Sequence, residues 1–275
     1  MRIKYSLLLV IPVFLFSCKK EIKVISTPSP LPLVQSTKLL LKDIMVPNLP
    51  SPYYHFEYNT EGRVKFVSFA SELTRYNVMY SQGRISQMRN NILVNKDRLQ
   101  YSYDDKGRVT LIRYADSTGV VFAKSSFTYK GQKLIKAERK QKVAGSFVVD
   151  RTMTMQYYAD GNLKQLTNHH PAMNGQPETT VSDRYENYDS KTNVDGFSLL
   201  HPEFFEHLFL LPDVHLQINN PGREIRTGDG VNYQVNYTYT YNEKNAPLTK
   251  KGNGIITNGD GSMQTFKTSS TYTYY

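Results

Sequence analysis

From Tyr53 onward the chain alternates apolar and polar residues in short runs, and polar turns that contain glycine separate many of these runs. Tyr54, Phe56 and Tyr58 alternate with polar residues, which is the period-two pattern of a strand with one buried face. The Asn or Asp and Gly residues that follow favour chain reversal, because glycine readily takes the positive φ that such turns need. The pattern therefore predicts a series of β-hairpins.

The hairpin unit recurs as a tyrosine, a polar turn, a basic or polar residue and an apolar strand. Weaker copies begin at Tyr188 and Tyr241, where Asn193 and Asn245 replace the turn glycine. The five clear copies carry the structural turn glycines Gly62, Gly83, Gly107, Gly131 and Gly161. Repetition of one supersecondary unit predicts a long antiparallel meander.

The apolar residues after each turn glycine are spaced unusually. They occupy the second and fifth positions, as in Val64 with Val67 and Val109 with Ile112. A β-bulge in every hairpin would bring both residues to one face and would also bend the strand. Such bulges would curl the meander into a trough or open barrel. Partial burial of both faces would produce the same spacing, so the sequence leaves both interpretations open.

One segment interrupts the repeats and predicts a short helix. Pro202 stands at a suitable first helical position, and Glu203 and Glu206 follow it. The apolar residues Phe205, Leu208 and Phe209 would then close the core. The predicted fold class is all-β: a long antiparallel meander of hairpins curled into a trough or open barrel, with one short helix inserted.

The first residues have the three parts of an export signal. Arg2 and Lys4 are basic, Leu7–Phe16 is apolar, and Ser17 precedes Cys18. The apolar run is too short for a membrane helix, which needs about 20 residues. Residues 1–17 are therefore predicted to be a signal peptide.

Leu15-Phe16-Ser17-Cys18 resembles the lipobox of bacterial lipoproteins, and Cys18 is the sole cysteine of the chain. The resemblance implies lipidation of Cys18 and attachment to a membrane. Residues 18–36 contain Pro28, Pro30 and Pro32, which favour an extended tether. Residues 37–275 are then the β-repeat domain.

Copies such as Tyr103-Asp104-Asp105-Lys106-Gly107-Arg108-Val109 resemble the YD repeats of RHS-type proteins. They resemble more closely the repeat-bearing lipoproteins of the Bacteroidota, whose function is largely unknown. The resemblance covers residues 37–275. The chain is much shorter than the large RHS proteins, so their delivery role is not carried over.

The cysteine content and the net charge exclude several classes of function. If Cys18 is lipidated, no thiol is left for a disulfide, a cysteine nucleophile or a cysteine zinc site. The formal net charge is +10, and removal of Arg2 and Lys4 with the signal leaves +8. For an exported protein this charge favours anionic glycans and lipid headgroups, and no nucleic-acid partner is expected.

Candidate metal ligands concentrate in and around the predicted helix, but their spacing matches no zinc motif. The cluster comprises His201, Glu203, Glu206, His207 and His215. The acids are better explained by the helix dipole. Asp189, Asn193 and Asp195 faintly resemble a calcium loop, but Lys191 interrupts the set, and turn chemistry explains it better. No metal or cofactor is expected.

The sequence contains no recognisable set of catalytic residues. Ser146 follows Gly145 in a predicted hairpin turn without a G-x-S-x-G motif, and His169-His170 has no evident partner. Asp116-Ser117-Thr118 resembles the short O-glycosylation acceptor of Bacteroidota, which is a common tripeptide.

Two repeated residue types invite a binding interpretation. The 21 tyrosines could bind sugars, but tyrosines at period two are more often packed across strands. Arg63, Arg84 and Arg108 follow the turn glycines and could form a ladder, or could pair with turn acids such as Glu61 and Asp105.

The sequence therefore predicts a noncatalytic cell-envelope lipoprotein that is expected at the outer membrane. The sequence does not decide between the periplasmic side and the cell surface. It would act as a scaffold or binding module for a glycan or protein partner. A glycan-directed hydrolase and a lipid carrier are the alternatives. Two facing carboxylates in a pocket would favour the hydrolase, an empty apolar concavity the carrier, and a filled interior the scaffold.

Overall fold

The computed structural model describes residues 39–91, 96–194 and 210–275. The predicted signal peptide, the tether and Cys18 lie outside the described residues. Within the described part the chain forms sixteen strands. They are β1 Leu41–Met45, β2 Tyr54–Tyr58, β3 Val64–Phe69, β4 Thr74–Ser81, β5 Arg84–Asn90, β6 Arg98–Tyr103, β7 Val109–Ala115, β8 Val121–Lys130, β9 Lys133–Val143, β10 Ser146–Tyr157, β11 Leu163–His170, β12 Thr179–Glu186, β13 Arg223–Gly228, β14 Asn232–Tyr241, β15 Pro247–Thr257 and β16 Met263–Tyr274.

The strands form one closed antiparallel barrel in which each strand pairs with its neighbours in sequence. The all-β meander is confirmed, but the prediction of a trough or open barrel is wrong. Closure comes from β1, which lies before the first repeat and pairs with β2 on one side and β16 on the other. Because β1 lies between β2 and β16, it covers most of the two free edges that an open trough would expose.

The predicted short helix is not seen. Most of its segment, 202–209, lies outside the described residues, and Leu210 and Leu211 are not helical. The described residues contain no helix that could cross a membrane.

Each hairpin of the clear repeats contains a β-bulge directly after its turn. Tyr58 pairs with Val64 and Glu57 pairs with Phe66, so Lys65 is the extra residue. Val64 and Val67 therefore face the same side, which confirms the bulge interpretation. Equivalent register shifts place extra residues at Ser86, Thr110, Ile135, Lys164 and Leu248.

The core fills the barrel interior along the repeat strands. Alternate residues point inward and the bulges keep this alternation in phase across each hairpin. Fully buried side chains include Phe56, Val67, Tyr76, Met88, Leu99, Ile112, Tyr114, Leu134, Leu163 and Leu216.

The repeat turns share one hydrogen-bonded geometry. Asp104 Oδ1 accepts from the backbone N–H groups of Lys106 (3.0 Å) and Arg108 (2.9 Å). Asn59 and Asn242 accept in the same way in their own turns. Gly107 completes the turn with a φ of 81°, a region that side chains disfavour.

We expect Gly107→Val to destabilise the barrel by about 1–3 kcal/mol, because a β-branched residue is strained at positive φ. The added Cβ would also lie 3.1 Å from Arg84 Nη2. The neighbouring exposed change Lys106→Ala should cost less than about 0.5 kcal/mol. Chemical denaturation measures both variants, and equal unfolding midpoints would contradict the turn assignment.

Candidate binding edge at the barrel seam

The outer wall of the barrel is largely polar, with Met79 and Ile255 among its exposed apolar side chains. On β8 the buried residues Ala123, Ser125 and Phe127 face inward, and their sequence neighbours face outward. Outward residues of β8, β9, β12 and β14 are Lys124, Ser126, Thr128, Lys136, Glu138, Lys140, Ser182, Arg184, Glu186, Gln234, Asn236, Thr238 and Thr240. A membrane-spanning barrel has the reverse arrangement, with an apolar outer band about 25 Å tall and a polar interior.

Ion pairs run across this wall. Glu138 lies 2.7 Å from Lys136 Nζ and 3.2 Å from Lys140 Nζ. The hydrogen bond from Lys136 is the main cause that lowers the pKa of Glu138. Such solvent-facing pairs contribute little stability individually. They indicate instead a surface suited to water.

The interior holds packed side chains. A small cavity has room for about one water molecule. It is lined by Ser125, Phe127, Ala137, Glu138, Arg139, Arg151 and Met153. Arg151 is buried, and its Nε donates to Asn168 Oδ1 at 2.6 Å.

Polar groups inside the C-terminal strands bind one another. Arg226 donates to both oxygens of Asp183 at 2.6 and 2.8 Å, which is the bidentate geometry of a strong pair. Tyr233 and Tyr237 each donate to one oxygen of Glu224 at 2.7 Å. These interior carboxylates therefore hold strands β12, β13 and β14 together.

The repeat tyrosines link successive hairpins through their hydroxyl groups. Tyr80 donates to the carbonyl of Val64 at 2.8 Å, and Tyr129 donates to that of Val109 at 2.9 Å. Each acceptor carbonyl belongs to the residue just before a bulge, and that residue is not paired with the next strand. The same bond joins Tyr103 to Ile85, Tyr157 to Leu134, Tyr188 to Leu163 and Tyr274 to Pro247.

The predicted arginine ladder is present and has a second contact. Arg63, Arg84 and Arg108 lie over the rings of the next repeat tyrosines, at 5.6, 5.5 and 4.9 Å from the centroids. Cation–π contacts of this kind stabilise a ring that is already anchored by its hydroxyl. Arg63 also pairs with Glu61 at 3.0 Å, whereas Arg108 pairs with Asp104 at 2.7 Å and not with Asp105.

The other sequence candidates are structural where they are described. No group of three His, Cys, Asp or Glu residues suited to a metal occurs in the described ranges, and His201, Glu203, Glu206 and His207 lie outside them. Asp189 Oδ1 accepts from the Lys191 and Asn220 N–H groups, as turn chemistry predicts.

Three further candidates lie at the end of the barrel opposite the repeat turns. His169 and His170 are the last residues of β11. His169 Nε2 lies 2.9 Å from Glu178, and His170 Nε2 lies 3.0 Å from Asn168 Nδ2. Both therefore have partners, which the sequence did not reveal. Ser146 is exposed at the β9–β10 hairpin. Ser117 and Thr118 are exposed in the β7–β8 loop, where Asp116 Oδ1 accepts from the Thr118 N–H and hydroxyl.

The seam where the barrel closes depends on Asp43 of β1. Asp43 Oδ1 lies 2.6 Å from His55 Nδ1 of β2, and Asp43 Oδ2 accepts from the Thr273 hydroxyl of β16 at 2.9 Å. One carboxylate therefore bridges three strands. The sequence did not single out this residue, because its partners lie 12 and 230 positions away.

Among the described residues, the seam leaves two thirds of β16 without a second neighbour. β1 pairs with β16 only over Thr271–Tyr274, whereas β15 pairs with it from Met263 to Thr271. Beyond Met45 the chain runs through Pro47, Pro50 and Pro52, which lack the N–H groups that a ladder needs. Among the described residues, Met263–Ser270 therefore forms an open edge.

The open edge has a defined set of free backbone groups. The Asn258 N–H bonds the Ser262 carbonyl and closes the β15–β16 turn. Because antiparallel pairs alternate, Gln264, Phe266 and Thr268 direct their backbone groups to β15. Thr265, Lys267 and Ser269 direct theirs away from it, toward the side that β1 occupies further along.

Comparisons with known proteins identify the fold. No protein-family model and no curated protein matches the chain. A porin-like protein from Bacteroides uniformis ATCC 8492 is 15% identical, covering 81% of this chain and 89% of that one, with a TM-score of 0.57. A porin-like protein from Bacteroides vulgatus ATCC 8482 is 13% identical, covering 86% and 98%, with a TM-score of 0.55. The likeness is one of fold. Neither match tests the resemblance to YD repeats or to lipoproteins, which stays a prediction.

We expect Tyr129→Phe to destabilise the barrel by about 1–3 kcal/mol, because it leaves the carbonyl of buried Val109 without its donor. The control is Thr128→Val, because the Thr128 side chain is exposed beside Tyr129 and loss of its hydroxyl should cost less than about 0.5 kcal/mol. Urea denaturation measures both. Equal losses would show that the hydroxyl ladder adds no stability.

The barrel should unfold in alkali. Burial raises the pKa of Tyr103 and Tyr129 from 10.0 to about 12, and it raises the pKa of Tyr157 and Tyr188 further. The neutral phenols therefore stabilise the fold below pH 10, and this stability is lost as the pH rises through about 12. Tyrosinate absorbance and circular dichroism should change together above pH 11. Ionisation of the buried tyrosines near pH 10 with no loss of structure would contradict this.

Proposed function

We propose that this protein is a noncatalytic binding module of the cell envelope, held at a membrane by lipid on Cys18. The observation that carries the proposal is the polar outer wall around an interior that is apolar and packed along the repeat strands. This arrangement supports a barrel that stands in water beside the membrane. The fold shared with porin-like proteins of Bacteroides supports an envelope protein, with the outer membrane as its site.

A solute pore is a poorer account of the same barrel. A pore needs a polar channel and an apolar lipid-facing band. Here Phe56, Met88 and Leu99 fill the interior, while lysine, glutamate and threonine face outward. The barrel is therefore proposed to act through its surface.

The two other hypotheses also receive less support. A lipid carrier needs an apolar concavity, whereas packed side chains fill the interior of the described repeat strands, and the cavity beside Arg151 has room for about one water. A hydrolase needs free facing carboxylates, whereas Asp183 is held by Arg226 and Glu224 by two tyrosines. A protein or glycan partner for an exposed surface fits these observations better.

Membrane attachment is tested with Cys18→Ala in the full chain. We expect the wild-type chain in the membrane fraction with the mass of an attached lipid, and we expect the variant without that mass and released from membranes. Cys18→Ser serves as a second variant of nearly the original size. A Cys18→Ala chain that keeps the lipid mass and stays membrane-bound would refute the attachment.

The binding role is tested with the chain purified from membranes. It is screened against envelope glycans on an array and against envelope proteins by cross-linking in intact cells. A reproducible partner that is absent from a control lipoprotein supports the proposal. No partner in either screen, together with a lipid that copurifies in stoichiometric amount, would favour the carrier and refute the binding module.

A further inference from the structure

The open edge of β16, Met263–Ser270, is a template for one more strand. Thr265, Lys267 and Ser269 direct N–H and C=O groups away from β15, and no described residue pairs with them. Natural proteins usually protect such edges with charges, prolines or very short strands. Here the edge is eight residues long and carries one charge, Lys267.

The edge is accessible as well as unpaired. Met263 is 73% exposed, and Gln264, Thr265, Lys267 and Thr268 are also exposed. The neighbouring loop, Val46–Pro52, is largely exposed and has three prolines, so it cannot supply the missing ladder. An extended segment from outside the barrel could pair there without displacing a described strand.

The charged residues of strands β15 and β16 are all lysines, although the turn that joins the two strands contains Asp260. Lys267 faces outward, and Lys251 lies on the same face opposite Ser269. β15 and β16 contain no acidic residue. A strand added at this edge would lie beside β16, so an acidic residue opposite Lys267 would form a cross-strand pair. Lys251 lies one strand further away on the same face and adds a longer-range attraction.

We propose that the open edge binds an extended segment of a partner protein by β-strand addition, and that acidic side chains occupy its outward alternate positions. This inference rests on the proposed binding function and names its partner class. Main-chain hydrogen bonds to Thr265, Lys267 and Ser269 supply affinity, and the two lysines supply specificity.

Two other occupants are disfavoured by the same charges. Pairing of two copies through this edge would bring Lys251 and Lys267 of both chains onto one face without an acid, and like charges across strands destabilise. The N-terminal segment of the chain is itself basic, with Lys19, Lys20 and Lys23. An acidic segment of another protein is the complementary choice.

The probe is a synthetic ten-residue peptide that alternates glutamate with valine, labelled at its N-terminus and read by fluorescence anisotropy on the full chain in detergent. Thr265→Pro removes one edge donor and leaves the β15 ladder intact, because that N–H points away from β15. We expect at least tenfold weaker binding than in the matched control Thr265→Ala, with melting temperatures within a few degrees of each other.

Charge and backbone are then tested separately. Lys267→Glu keeps the edge N–H and should reverse the preference, so that a lysine–valine peptide binds more tightly than the glutamate–valine peptide. N-methylation of alternate peptide amides should abolish binding without altering side chains. In hydrogen exchange, the Thr265, Lys267 and Ser269 amides should be fast in the free chain and slow with the peptide.

Equal peptide affinity in Thr265→Pro and Thr265→Ala would overturn the proposal. A dimer that Thr265→Pro dissociates would assign the edge to a second copy, and edge amides that become fast only when residues 19–37 are deleted would assign it to the chain itself. Either result also overturns it. A cellular partner that Thr265→Pro still captures would reject the edge and leave the proposed function standing. If the wild-type chain captures no cellular partner but still binds the peptide at the edge, the proposed function alone is rejected.

Discussion

The barrel depends on one repeated interaction, the bond from a tyrosine hydroxyl to the carbonyl before the β-bulge of the preceding hairpin. A bulge takes backbone groups out of the ladder, and a buried carbonyl without a donor costs about 1–3 kcal/mol. The tyrosine of the next hairpin supplies that donor, as Tyr80 does for Val64 and Tyr129 for Val109. The hairpins that carry this bond therefore depend on the strand that follows them, which ties these repeats into one cooperative sheet.

This interaction also explains the other constant residues of the repeat. The glycine and the Asn or Asp make the turn that starts the bulge, and the bulge provides the twist and curvature that closure needs. The basic residue after the glycine lies over the next tyrosine ring, at 4.9 Å for Arg108 over Tyr129. The tyrosine ring packs against the apolar core, while its hydroxyl and the covering cation stay at the end of the barrel near the repeat turns. The repeat thus specifies a water-facing barrel with an apolar interior.

The sequence predicted the hairpins and the turn glycines, and it offered the bulges as one of two interpretations, because all three follow from local spacing. The second-and-fifth apolar pattern has one geometric solution once one face must be buried, as Val64 and Val67 show. Closure was missed because β1 carries neither the tyrosine nor the turn of the repeat. The role of the hydroxyls was missed because each acceptor lies 16 to 27 residues away, in the previous hairpin. Asp43 was missed for the same reason, since its partner Thr273 is at the other end of the chain.

Closure and the open edge follow from one short stretch of chain. Leu41–Met45 reaches far enough to pair with Thr271–Tyr274 and to place Asp43 between three strands. Pro47 then ends the strand, so the remaining length of β16 has no partner among the described residues. A longer β1 without these prolines would have covered the edge and given a barrel closed along its full height. Because β15 and β16 extend past β1 and carry lysine without acid, the exposed ladder is both geometrically available and electrostatically selective. The prolines thus leave the edge of β16 exposed where β1 ends.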